Sequence, residues 1–110
     1  MPTLYVTAPP EVAEDLARTL VEERLAACVN RVPCTSTYRW EGEVVEDSEE
    51  ILLVKTTEER CDAAVARLVE EHPYDVPCIE RFDVEYEDEF GAWVAESTDA
   101  DDGPTDADAD

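Results

Sequence analysis

The alternation of residues 28–55 constrains this chain more than any other feature. From Cys28 to Trp40 side chains repeat with a period of two. Cys28, Val32, Cys34, Tyr38 and Trp40 share one face; Arg31, Thr35, Thr37 and Arg39 share the other. Glu41-Gly42 follows as a tight turn, with a glycine where positive φ is needed. The return strand runs from Glu43 to Lys55, so the whole segment predicts a long antiparallel hairpin. Its closing stretch, Ile51-Leu52-Leu53-Val54, is apolar on both faces. A sheet covered by helices on one side leaves alternate residues wet, so a doubly apolar run requires cover on both.

The flanking segments supply helices for one side only. Residues 3–8 read as a short strand stopped by Pro9-Pro10, and a proline suits the first turn of a helix. Val12, Leu16 and Leu20 then recur at helical spacing through about Leu25, with Glu11, Glu14 and Asp15 at the positive end. Thr56 with Glu59 fits a capping box and opens a second helix, with Cys61, Ala64, Val65 and Leu68 inward, ending at His72. Residues 78–86 alternate again as a strand, and a short helix carries Phe90, Trp93 and Val94. The order is β-α-β-β-α-β plus a terminal helix, an α+β ferredoxin-like arrangement. It predicts one domain over residues 1–97. The acidic tail, 98–110, has no apolar side chain larger than alanine, too little to offset its ordering entropy, and is expected to be disordered.

Charge limits the partners. Thirty acidic residues against eight basic ones give a formal net charge of −22, and Lys55 is the sole lysine. Such a surface repels nucleic acid and anionic membranes. Two readings fit the acidity. One is a salty cytosol in which screening removes the self-repulsion; the other is collection of cations by the carboxylates. The even spread of acids along the chain fits the first. With neither a membrane-length apolar run nor a basic, apolar amino terminus, the expected location is cytoplasmic. The four cysteines, Cys28, Cys34, Cys61 and Cys78, form no C-x-x-C pair and no zinc-ribbon spacing. Cys28 and Cys34 lie about 20 Å apart on a continuous strand, too far to bridge. Reduced, mostly buried thiols are the expectation for all four. No P-loop, G-x-G-x-x-G or G-x-S-x-G occurs, and with a single histidine and no activated nucleophile an enzyme is not expected.

That histidine stands in His72-Pro73-Tyr74-Asp75-Val76-Pro77, a rigid turn between helix and strand. A histidine at a helix end commonly caps carbonyls and meets the negative end of the helix dipole; as an imidazole it also suits copper and zinc. Taken with Tyr38-Arg39-Trp40-Glu41-Gly42 and Leu53-Val54-Lys55-Thr56, in this order and spacing, the turn resembles the CutA family of divalent-cation tolerance proteins over residues 5–93. The acidity would make this a haloarchaeal-like member. The resemblance implies a homotrimer with its sheets facing inward, which supplies the missing cover for Ile51 to Val54. The hairpin would then pair with a neighbouring subunit.

The resemblance also implies two sites. Family copper ligands fall on His72, Glu71 and Val6; Val6 offers no donor, and Glu71 replaces a nitrogen donor with a harder oxygen. Cys78 stands where the family usually has glutamate, and is either a soft ligand or a core residue. Lys55 would line a cleft between subunits with Tyr38, Trp40, His72, Tyr74 and Glu80, a setting for a small anion or metabolite. The PII signalling proteins share this trimeric design and bind ligands in such clefts. From the residues alone, Trp40, Tyr38 and Tyr5 read as packing or interface aromatics, and Lys55 as a partner for a carboxylate. Three function classes follow: a copper-binding tolerance protein, a PII-like regulatory trimer, and a trimeric scaffold without a ligand.

Overall fold

The computed structural model describes residues 1–99. Seven elements follow in order: β1 (Pro2–Ala8), α1 (Pro10–Glu22), β2 (Cys28–Trp40), β3 (Glu43–Lys55), α2 (Glu58–Glu71), β4 (Ile79–Asp83) and α3 (Asp88–Ser97). The strands form one antiparallel sheet in the order β2-β3-β1-β4. The hairpin has the bounds its alternation predicts. Its turn places Glu41 at φ 52° and Gly42 at φ 83°, and a two-residue hairpin turn with both central residues left-handed matches the twist of the strands.

α1 and α2 pack on one face of the sheet, and strand parity selects which residues meet them. Leu4, Val6 and Ala8 of β1 and Leu52 and Val54 of β3 are all 0 % exposed. They join Ala13, Leu16 and Leu20 of α1 and Cys61, Ala64 and Leu68 of α2 in a single apolar core. The alternate residues point to the other face, where Tyr5, Thr7, Ile51 and Leu53 are only half-buried. In one subunit the doubly apolar run therefore has one covered face and one open face.

Four boundaries differ from the sequence reading. α1 stops at Glu22, short of Leu25, because Arg24 turns left-handed at φ 60° and the Leu25 and Ala26 amides fold back to the Leu20 carbonyl at 2.9 and 3.1 Å. Leu25 enters the core from that turn. The cap of α2 is Thr57, whose hydroxyl accepts from the Arg60 amide at 3.2 Å. Thr56 continues the inward parity of Leu52 and Val54 instead, and its buried hydroxyl donates to the Leu25 carbonyl at 2.7 Å. β4 covers Ile79–Asp83, shorter than 78–86, since its register along β1 runs out at Pro2 opposite Asp83. Beyond that point only the Val84 and Met1 backbones bond, and the Tyr86 hydroxyl anchors the chain on the Pro2 carbonyl at 2.8 Å. Thr98, expected to begin the tail, is 2 % exposed and caps α3. The remaining tail expectation, from residue 100 on, lies outside the described residues.

The cysteines differ too: all four are free, but only Cys61 is buried, Cys28 and Cys34 are half-buried, and Cys78 is exposed. The core reading of Cys78 fails because the residue precedes β4 on the open side of the sheet. Among the described residues no helix is long and apolar enough to cross a membrane.

Candidate functional site

A cleft of about 650 Å³ opens on the uncovered face of the sheet. Its floor is Tyr5 and Thr7 of β1 with Glu80 of β4. One wall is the outer half of the hairpin, through Ser36, Tyr38, Trp40 and Glu49; the other is the turn Pro73 to Val76, with Cys78. Strand parity explains the membership. Ser36, Tyr38 and Trp40 are alternate residues of β2, and Glu49 lies opposite Cys34 on the same face. Tyr5 pairs with Glu80 across β1 and β4.

His72 holds the second wall in place without lining the cleft. It is 7 % exposed. Its amide donates to the Leu68 carbonyl of α2 at 2.9 Å, its Nε2 lies 2.9 Å from the Thr7 carbonyl, and its Nδ1 accepts from the Tyr74 amide at 3.1 Å. The tautomer with the proton on Nε2 satisfies both ring contacts. The imidazole thus ties the end of α2, the strand β1 and the turn together, and its ring packs on Tyr74 with centroids 4.9 Å apart. It is a helix-end histidine, yet the carbonyl its ring reaches belongs to β1.

Two tyrosines close the polar network. The Tyr74 hydroxyl donates to Glu49 Oε2 at 3.1 Å, and the Tyr38 hydroxyl to Asp47 Oδ2 at 2.6 Å. Burial, then the bond to Glu49, holds the Tyr74 phenol above its ordinary pKa; the bond to Asp47, then burial, does the same for Tyr38. Tyr5 is raised as well, by burial first and then by Cys34, Cys78, Glu80 and Glu49. All three phenols therefore remain donors, and the surroundings are electronegative. Among the described residues of the chain no Lys, Arg or His lines the cleft, against the carboxylates of Glu49, Asp75 and Glu80. Within one chain this setting disfavours an anion.

Of the residues expected at a cleft, Tyr38, Trp40, Tyr74 and Glu80 are brought together. Lys55 is not: it ends β3 away from the cleft, and its Nζ donates to Asn30 Oδ1 at 3.2 Å in place of the expected carboxylate. The expected metal set does not converge either. Both ring nitrogens of His72 are already bonded, and Glu71 is exposed and ion-paired with Arg67 on α2. Only Cys78 faces the cleft. Among the described residues no three His, Cys, Asp or Glu side chains are grouped to hold a metal ion, so within one chain the residues present do not fit a resident metal centre. Glu49 and Asp75 were missed by sequence reasoning. Glu49 shares the parity of Ile51 and Leu53, the one signal that separates it from the many solvated acids around it.

Comparison with known proteins agrees with this architecture. The profile of the CutA1 divalent ion tolerance protein matches residues 3–97. The divalent-cation tolerance protein CutA of Thermus thermophilus is 51 % identical over 98 residues, covering 86 % of this chain and 95 % of the relative. That of Pyrococcus horikoshii is 40 % identical over 97 residues, with the same coverage of both chains. Among solved structures, the PII-like protein CutA from Nostoc sp. PCC 7120 in apo form superposes with a TM-score of 0.86. It is 35 % identical, and the match covers 89 % of this chain and 97 % of that one. With its four-stranded antiparallel sheet, its helices on one face and this length of shared sequence, the chain belongs to the CutA1 divalent ion tolerance family.

Proposed function

We propose that the chain works as a non-enzymatic, PII-like homotrimer that takes a small ligand into the open-face cleft. One observation carries the reading: a cleft of about 650 Å³, walled by aromatic side chains, lies on the face that one subunit leaves open. A concave, aromatic-lined site with a few fixed polar groups is the usual form of a small-molecule pocket. The half-buried Ile51 and Leu53 and the two 13-residue strands of the hairpin support assembly through the same face. The PII-like description of the Nostoc protein supports the analogy. Nothing among the lining residues pairs a nucleophile with a base, which supports binding over catalysis.

Copper uptake is a second reading, favoured by the exposed Cys78 thiol beside Glu80 in the cleft. With so few donors in one chain the affinity is modest, and Cu(II) is held above Zn(II) by the general order of divalent affinities. The acidic surface fits a high-salt host, in which screening permits three such charged chains to assemble. Titration of the full chain with a small-molecule panel, with Cu(II) and with Zn(II), following Trp40 fluorescence and heat, tests both readings. A saturable Trp40 response to a small molecule supports the cleft. Metal binding lost in Cys78→Ser supports copper. No response of either kind contradicts both.

A further inference from the structure

We propose that His72 is an acid-operated latch on the cleft wall: a proton taken up at its Nδ1 releases the Tyr74 amide, and with it the turn at residues 73–76. The inference rests on the cleft being the ligand site and specifies how that site is regulated.

The turn has few other holds. Pro73 and Pro77 carry no N–H. Among the described residues, the backbone of 73–77 makes a single hydrogen bond, from the Tyr74 amide to His72 Nδ1 at 3.1 Å. The side chains of the same stretch make one more, from the Tyr74 hydroxyl to Glu49 Oε2 at 3.1 Å. The wall therefore hangs on one imidazole nitrogen and one phenol.

Only a neutral ring can hold it. Nε2 lies 2.9 Å from the Thr7 carbonyl, which accepts and cannot donate, so the ring's one proton belongs there and Nδ1 keeps its lone pair. A second proton would set Nδ1–H against the Tyr74 N–H, donor against donor. The bond to Thr7 survives that change, so the ring stays on β1 while the turn lets go. Both ring bonds run within one chain to backbone atoms, so they do not depend on what covers the open face.

The charged and titratable groups on the elements around the ring offer it no fixed partner. Glu71, beside it on α2, is ion-paired with Arg67. In the turn stand Tyr74, whose ring packs on the imidazole, and Asp75. Glu49 of β3 is bonded to the Tyr74 hydroxyl, and Cys78, before β4, is joined to β1 through its carbonyl, which accepts from the Thr7 amide at 3.3 Å. Among the described residues none of these carboxylates bonds the ring, so an imidazolium gains no ion pair in exchange for the bond it loses.

The test is NMR of the full chain in molar KCl between pH 8 and pH 5, the range in which imidazole ordinarily changes charge. His72 is the sole histidine, so its Cε1–H signal is unambiguous. The expected result is a Tyr74 amide whose nitrogen shift follows the His72 midpoint and whose protection from exchange falls about tenfold across it, as the loss of one hydrogen bond requires. The His72 amide, bonded to the Leu68 carbonyl, should keep its protection. His72→Asn places near Nδ1 a carbonyl oxygen that takes no proton in this range, and should make the Tyr74 protection independent of pH. Glu49→Gln should leave the pH response in place. A Tyr74 amide that stays unchanged while His72 titrates overturns the latch, as does a His72 that remains neutral throughout. A response that persists in His72→Asn, or vanishes in Glu49→Gln, assigns it to the carboxylates and overturns the latch as well. None of these signals needs a ligand, so the latch can fail while the cleft still binds. A small-molecule titration that is silent at the alkaline end, where the wall is held, overturns the cleft reading alone.

Discussion

The two faces of the β-sheet use the same strands and end in opposite states. On the helix side, Leu4, Val6, Leu52 and Val54 are fully buried among α1 and α2. On the other side, one residue along each strand, Tyr5, Thr7, Ile51 and Leu53 stay half-exposed and lead into a cleft with carboxylates and phenols. Each buried leucine contributes about 2 kcal/mol by area removed from water, so the helix face stabilises the subunit. The open face keeps comparable apolar residues without that gain in one chain. Stability and binding are thus divided by the parity of a strand.

Paired substitutions at adjacent positions should break this symmetry most visibly. Leu52→Asp places an unpaired charge in the core and should unfold the subunit, at a cost of about 4 kcal/mol or more. Leu53→Asp, on the open face, should leave native circular dichroism while abolishing assembly. Identical behaviour of the two would mean that the faces are not distinct. Salt comes next. The core cluster contains no carboxylate, so screening should act on the acidic surface and the assembly more than on the subunit interior. With −22 per chain, the melting temperature should climb by about 10 °C or more between 0.1 M and molar KCl, as roughly 2 kcal/mol of repulsion is screened. A flat dependence contradicts the high-salt reading.

Smaller effects sharpen the comparison at the seam between the faces. His72→Ala removes the ring bonds to Thr7 and Tyr74 and should cost about 2 kcal/mol in denaturant titration. Because both nitrogens are already occupied, it should leave a Cu(II) isotherm nearly intact; loss of that isotherm would return the copper site to His72. Alkaline pH probes the open face alone. The Tyr74 and Tyr38 phenols titrate above their ordinary 10.0 in the fold, so the folded state holds their protons more tightly. Their contribution is fully present below pH 10 and is lost as pH rises beyond it. Tyr74→Phe should flatten that alkaline loss. Gly42→Ala should have the least effect, about 1 kcal/mol, since a Cβ there meets nothing within 4 Å and only the left-handed φ opposes it.

The fold was readable where a period ran long. Both hairpin strands, their turn and the helix faces follow from alternation and helical spacing. Errors fell at ends, where one local signal competes with tertiary contacts. Thr56-x-x-Glu59 is a capping signature, but strand parity drew Thr56 inward and passed the cap to Thr57. The site was legible in part. Tyr38, Trp40, Tyr74 and Glu80 came through resemblance to a family, and Cys78 through its departure from the glutamate that family usually has there. Glu49 was hidden because acids are everywhere in this sequence, and only the sheet shows which one is buried. In the single chain Lys55, expected in a cleft between subunits, ends a strand beside Asn30, and Glu71 turns along its helix to Arg67.

The central claim is that the open face serves assembly and ligand, and the mass of the protein tests it most directly. Light scattering at micromolar concentration in molar KCl should give about 37 kDa for the wild type, three times the 12.3 kDa chain, and 12.3 kDa for a folded Leu53→Asp variant. A wild-type mass of 12.3 kDa under those conditions would contradict the account.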